Sequence, residues 1–209
     1  MNLIFDFDGT LVDSMPTWSG VHIKMLKDHG IAVPDGFVET ITPLGNLNAS
    51  KYTISLGVDM PLDEYLDKIS KILYFEYLNN IPLKNNVAKF LNSAVNAGHS
   101  ISVLTASPHL YVDECLQKLG VYHLFEKVWT IEDFNMTKAQ PEIYIEAAKR
   151  LNSEISDCVF FDDNYTALIT AREAGMITVG VYDDTSRSSA EKIKEATNYY
   201  LNEYPEELN

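Results

Sequence analysis

Five short apolar runs recur along the chain, and they restrict its fold more than any other feature. They are NLIFD (residues 2–6), SISVLT (100–105), KVWTI (127–131), CVFFD (158–162) and ITVGV (177–181). Each is rich in β-branched or aromatic residues and lacks the strict alternation of a half-exposed strand, which suits strands buried on both faces of a parallel sheet. Amphipathic stretches lie between them, at 85–97, 108–119, 141–151 and 165–174. Gly98, Gly120 and Gly175 supply stop signals, and Pro108 and Pro141 stand near two helix starts. The alternation predicts an α/β fold: a doubly wound, Rossmann-like parallel sheet. In such sheets ligands bind beyond the C-terminal strand ends, where the strand order reverses.

One segment breaks the rhythm. Residues 14–83 contain no convincing strand, and stretches 18–30, 47–56 and 62–77 look helical. In the last of these Leu62, Tyr65, Leu66, Ile69, Ile72, Leu73 and Phe75 fall close to helical spacing. The expected organisation is therefore an α/β core of residues 1–13 and 84–209, with a helical cap inserted at 14–83 that would act as a lid. The acidic tail EYPEELN is expected to be a frayed end.

Charge narrows the partners. The 209 residues include 16 basic and 30 acidic side chains, for a net charge of −14. A chain so acidic is a poor non-specific binder of nucleic acid or of an anionic membrane. An anionic substrate would need local positive charge or a metal to overcome that field. The N-terminus has no basic signal-like region, and no apolar run approaches the roughly 20 residues of a membrane span. The two cysteines, Cys115 and Cys158, sit in apolar surroundings and make no disulfide framework. They predict buried thiols and a cytoplasmic protein.

The candidate chemistry gathers at strand ends. In DFDGT, Asp6 ends the first strand and Asp8 lies in the turn that follows. Asp-Gly is a common turn dipeptide, which accounts for Asp8 and Gly9 but not for an acid at Asp6 beside the core. A cation is the natural partner of such a carboxylate. FFDDN places Asp162 and Asp163 at the end of another strand. Four carboxylates over one sheet edge would repel one another without a divalent ion, and hard oxygen donors favour Mg²⁺. VLTAS ends the second strand with Thr105, whose hydroxyl, with backbone N–H groups such as that of Ala106, could hold a phosphoryl oxygen. Ser107 reads better as a helix cap before Pro108. Lys138 could neutralise an attacking carboxylate and a phosphate oxygen together.

These motifs, in this order, resemble those of the haloacid-dehalogenase-like hydrolases: DFDGTLVDS, the strand ending in Thr105, Lys138 with Pro141 beyond it, and FFDDN followed by AGM. The resemblance spans nearly the whole chain, and the insert after the first motif is similar to the small cap of the phosphoglycolate-phosphatase and β-phosphoglucomutase branch. It implies a Mg²⁺-dependent phosphomonoester hydrolase acting on a small phosphorylated metabolite. Asp6 would be the nucleophile that forms an aspartyl-phosphate, and Asp8 the general acid and then base. Mg²⁺ would be held by Asp6, the backbone carbonyl of Asp8 and Asp163, with Asp162 as an additional or outer ligand. Thr105, Ala106 and Lys138 would bind the phosphoryl group. The chain departs from the family's frequent Gly-Lys-Pro-x-Pro with Thr137-Lys138-Ala139-Gln140-Pro141, and from Glu-Asp-Ser with Asp162-Asp163-Asn164.

Related chemistries compete. A β-phosphoglucomutase-type transfer uses the same core, but such mutases carry a His and an Arg where an ungapped comparison places Trp18 and Asn48. Dehalogenases lack the second acid of the first motif. A catalytically silent relative or a phospho-switch would not turn over. Within the cap, Ser14, Trp18, Asn46 and Asn48 are the specificity candidates, with Trp18 more naturally a packing residue, His22 a solvated one, and the asparagines loop residues within 43–50. Lys51 is the only basic residue from there to Lys68, so the expected leaving group carries little further negative charge, as a small sugar or polyol does.

Overall fold

Phe5 and Phe161 stack face to face across two neighbouring strands, with ring centroids 4.4 Å apart, and Phe90 meets the edge of Phe5 at 6.3 Å. On the opposite side of the same strands Ile4 and Phe160 pack with Tyr144, Leu168 and Ile193. This two-sided burial is what the unbroken apolar runs require, since successive side chains of a strand point to opposite faces.

The computed structural model describes residues 1–207, with the backbone alone for Pro43. The strands are β1 (Asn2–Phe5), β2 (Ser100–Thr105), β3 (Lys127–Thr130), β4 (Cys158–Asp162), β5 (Ile177–Val181) and β6 (Tyr199–Leu201). They form one sheet in the order β3-β2-β1-β4-β5-β6, and every pairing is parallel. The order reverses between β1 and β4, so the switch point lies where Asp6 follows β1 and Asp162 ends β4.

The chain divides into two compact units: Met1–Asp13 with Pro82–Asn209, and Ser14–Ile81. The division falls at Ile81 because Pro82 and Leu83 pair with the core. The Asp13 N–H donates to the Pro82 carbonyl at 3.0 Å, and Val12 bridges Leu83.

The core unit places a helix, Val87–Asn96, on one sheet face through Phe90. Helices Pro141–Arg150, Tyr165–Ala174 and Ala190–Ala196 cover the other through Tyr144, Leu168 and Ile193. A further helix, His109–Lys118, follows β2. Each large apolar side chain fully buried here contributes roughly 1.5–3 kcal/mol.

The helical unit contains Met15–Asp28, Phe37–Ile41, Gly45–Ser55 and Leu62–Asn79. Tyr65, Ile69, Leu73 and Tyr77 make one fully buried stripe along the last of these. Asp63 and Glu64 occupy its first turn, where acids suit the helix dipole.

Several expectations need correction. The sheet has a sixth strand, β6, a three-residue edge element with Tyr199 exposed and therefore without a run of buried apolar residues to announce it. The tail is not wholly frayed. Tyr204 is buried, its ring centroid 5.1 Å from that of Phe90, and its carbonyl accepts from Asn86 at 3.1 Å. Residues 208 and 209 of that tail lie outside the described residues. Asn46 and Asn48 are helical rather than loop residues, because the helix begins at Gly45.

Candidate active site

β1 delivers Asp6 to the switch point and β4 delivers Asp162 beside it. The register pairs Phe5 with Phe161, and the Asp6 N–H donates to the Phe161 carbonyl at 2.8 Å. Asp163 follows in the next residue. Carboxylate oxygens of Asp6, Asp162 and Asp163 all lie within 4.8 Å of one another, and all three residues are buried.

Lys138 closes this cluster. Its Nζ lies 2.8 Å from Oδ1 of Asp6 and 2.8 Å from Oδ2 of Asp162. Its side chain is only 13% exposed. Burial alone would lower its pKa, but the Asp162 and Asp6 carboxylates outweigh it and hold Lys138 above the ordinary lysine value. Tyr144, which the sequence did not single out, holds the lysine's backbone. Its hydroxyl lies 2.9 Å from the Lys138 carbonyl and 3.0 Å from that of Ala167.

The acids respond to burial and to one another. Burial pushes the Asp6 carboxyl up to about 6, with Lys138 opposing and Asp162 reinforcing the rise. Asp163 is raised well above the carboxylate range by burial first and then by the charges of Asp162 and Asp6. One ammonium does not compensate three buried acids. The donor set is all hard oxygen, and the deficit is of positive charge, so these residues fit a Mg²⁺ ion.

The turn after β1 is shaped by the same cluster. Gly9 has φ 71°, and a Cβ there would lie 2.9 Å from the Asp163 carboxyl carbon. Only glycine allows both the backbone angle and that approach. The N–H groups of Leu11 and Val12 donate to the Phe7 carbonyl at 2.9 and 3.1 Å and close the turn.

Ser107 overturns its expected role. The residue capping the following helix is Pro108, and the helix has no side-chain cap. The Ser107 hydroxyl instead donates to the Asp8 carboxylate. The Thr105 hydroxyl, buried at the end of β2, accepts from the Ser107 N–H at 3.1 Å, and Ala106 lies between them. Asp162 is fixed on both oxygens: Oδ1 accepts from the Asn164 N–H at 2.7 Å, and Oδ2 faces Lys138.

A family model described as haloacid dehalogenase-like hydrolase matches residues 3–181. The chain belongs to this family. A phosphoglycolate phosphatase of Colwellia psychrerythraea is 29% identical over 86% of this chain and 83% of its own length. A validoxylamine A 7'-phosphate phosphatase of Streptomyces hygroscopicus is 24% identical over 92% of this chain and 89% of its own. The crystal structure of a HAD hydrolase of family IA, variant 3, from Entamoeba histolytica superposes with a TM-score of 0.82 at 19% identity, over 97% of this chain and 92% of that one. The likeness to that structure is one of fold. With its family and its relatives named as phosphatases, the chain is a phosphatase enzyme.

The remaining candidates belong to the helical unit. The Ser14 carbonyl accepts from the N–H groups of Thr17 and Trp18 at 2.9 and 3.2 Å, at the start of a helix. Trp18 is half-buried, and its indole N–H donates to the Tyr77 hydroxyl at 2.7 Å. Asn46 and Asn48 are exposed, and the Asn48 amide donates to the Leu44 carbonyl at 3.3 Å. His22 corrects its expectation: it is buried, its Nδ1 is 2.8 Å from the Tyr65 hydroxyl, and burial pulls its pKa down to about 4. Among the described residues no helix is long and apolar enough to cross a membrane, and both cysteines are buried and free.

Proposed function

We propose that this phosphatase is a Mg²⁺-dependent phosphomonoester hydrolase that works through an aspartyl-phosphate on Asp6. The observation that supports it is the buried trio Asp6, Asp162 and Asp163 around Lys138 at the sheet's switch point. Asp6 attacks phosphorus in line, its oxygen bonds to phosphorus, and the ester oxygen leaves with the bonding pair. Asp8 gives that oxygen a proton. It then takes one from the water that attacks the aspartyl-phosphate, so that inorganic phosphate and free Asp6 are regenerated.

Mg²⁺ would be held by Asp6, Asp163 and the backbone carbonyl of Asp8, with Asp162 orienting the set, and it would supply charge neutralisation to the phosphate oxygens. Lys138, the Thr105 hydroxyl and the Ala106 N–H would hold the same oxygens. Lys138 also keeps Asp6 ionised near neutral pH against the effect of burial. Ser107 fixes the carboxylate of Asp8. With Mg²⁺ bound, the ion and Lys138 would together supply the local positive charge that an anionic substrate of a chain with net charge −14 requires.

The substrate we propose is a small phosphate ester whose leaving group has little further charge, such as a sugar or polyol. The scarcity of basic residues between Ser14 and Lys68 supports it, as do relatives named hexitol phosphatase and fructose-1-phosphate phosphatase. Residues 14–83 would be the substrate-selecting cap, with Ser14, Trp18, Asn46 and Asn48 as its contacts. The mutase alternative gains no support from Trp18, which offers no titratable group. A cytoplasmic location fits the free thiols. Rapid quench during turnover, followed by mass spectrometry of the peptide holding Asp6, tests the mechanism. A phosphoryl adduct there is expected, and an adduct elsewhere or a direct attack by water contradicts it.

A further inference from the structure

Lys84 uses all three of its ammonium donors inside the core unit. Its Nζ donates to the Gly9 carbonyl at 2.7 Å, to the Tyr182 carbonyl at 2.6 Å and to Oδ2 of Asp183 at 3.1 Å. An ammonium has three N–H donors, so none remains for water. The side chain is 18% exposed and its Asp183 partner 5%. A surface lysine ordinarily keeps its head in water; this one is spent on two backbone carbonyls and a buried acid.

The acceptors come from two separate loops. Gly9 lies in the turn after β1, between Asp8 and Thr10, and Tyr182 and Asp183 follow β5. Lys84 itself is anchored, because its N–H donates to the Leu11 carbonyl at 2.9 Å. Asp183 is anchored too: Oδ1 accepts from the Thr185 N–H at 2.9 Å and from the Thr185 hydroxyl at 2.6 Å. Gly9 is therefore held on two sides, by the Asp163 carboxylate in the space a Cβ would take and by Lys84 on its carbonyl.

We propose that Lys84 is a positioning residue for the reaction. It clamps the turn that bears Asp8 to the loop after β5, and so fixes where Asp8 and its backbone carbonyl stand relative to Asp163. The role rests on the phosphatase reading above. It acts through Gly9 rather than on substrate, and a displaced acid or carbonyl loses rate more than affinity.

The test uses Lys84→Met in the full chain. Because that change leaves Asp183 buried without its partner, Lys84→Met/Asp183→Asn is made alongside it to keep a folded variant. Lys84→Arg, which retains charge and donors, is the conservative variant, and Ile69→Val, fully buried in the helical unit rather than in the core unit that holds these loops, is the control for lost stability. With an aryl phosphate and Mg²⁺, the methionine variants should lose kcat by about ten- to hundredfold with KM within about threefold of wild type. Lys84→Arg should recover most of that loss, and Ile69→Val should keep the wild-type kcat. Hydrogen–deuterium exchange should rise in peptides covering 7–12 and 182–186 and stay unchanged in the peptide covering 100–105. An unchanged kcat in the methionine variants, or unchanged exchange in both loops, overturns the proposal. Absence of turnover in the wild type counts against the hydrolase reading instead. Exchange then decides the clamp by itself: faster exchange in the two loops supports it, and unchanged exchange removes it.

Discussion

The Nζ of Lys138 stands 2.8 Å from Oδ1 of Asp6, and the same ammonium meets Asp162 at 2.8 Å. A single cation thus joins the ends of β1 and β4 across the point where the strand order reverses. Removing one partner of a buried pair leaves an uncompensated charge, at a cost of about 3–5 kcal/mol. Lys138→Met should therefore lower stability by that amount in urea titrations without Mg²⁺. With the metal present, its kcat should fall by about a hundredfold or more, since the lysine acts where charge develops. Unchanged stability and rate would make Lys138 a spectator.

Gly9→Ala tests the packing of the first turn. The added methyl would meet the Asp163 carboxylate at 2.9 Å, at φ 71°. The left-handed angle costs roughly 1–2 kcal/mol for a residue with a Cβ, and Asp163 must shift. The expected result is a modest loss of thermal stability, with a sharp rise in the Mg²⁺ concentration needed for half-maximal rate. A normal Mg²⁺ dependence would show that Asp163 does not bind the ion.

Ser107→Ala should affect poor leaving groups more than good ones. A hydrogen bond to a charged group is worth about 1.5–3 kcal/mol, and Ser107 makes one to Asp8. If Asp8 protonates the leaving oxygen, alkyl phosphates need that proton and nitrophenyl phosphate scarcely does. Rates for the two esters should separate in the variant by about tenfold. An equal loss on both would limit Ser107 to general packing.

His22 makes stability depend on pH. Its folded pKa of about 4 lies below the ordinary 6.5, so the unfolded chain binds the proton more readily. The contribution is complete above pH 6.5, declines as pH falls from there and is gone below about 4, for a total on the order of 3 kcal/mol. Equilibrium unfolding between pH 7 and pH 5 should show His22→Phe to be less pH-sensitive than wild type. Parallel slopes would place the effect elsewhere.

What the sequence revealed and what it hid follow from one distinction. Strands buried on both faces announce themselves as apolar runs, so β1 to β5 and the acids at their ends were legible in NLIFDFD and CVFFDD. β6 is three residues at an edge, with its first tyrosine in solvent, and leaves no such pattern. Contacts between distant segments were hidden as well. Nothing near Ser107 indicates that its hydroxyl would reach Asp8 rather than cap a helix. Nothing in PLKNN indicates that Lys84 would bridge Gly9 and Tyr182. Lys138 is a polar residue in a polar neighbourhood of sequence, and only tertiary packing buries it, whereas His22 lies among Val21, Ile23, Met25 and Leu26 on a helix whose apolar face takes it inside.

The central claim is that Asp6 is the nucleophile of a Mg²⁺-dependent hydrolase. The most direct measurement is the turnover of an aryl phosphate by the purified protein, with Mg²⁺ and with EDTA, beside Asp6→Asn. The account predicts steady turnover that EDTA abolishes, and no turnover in Asp6→Asn although the variant melts as a folded protein. A rate in Asp6→Asn within about tenfold of wild type, or full activity in EDTA, would contradict it.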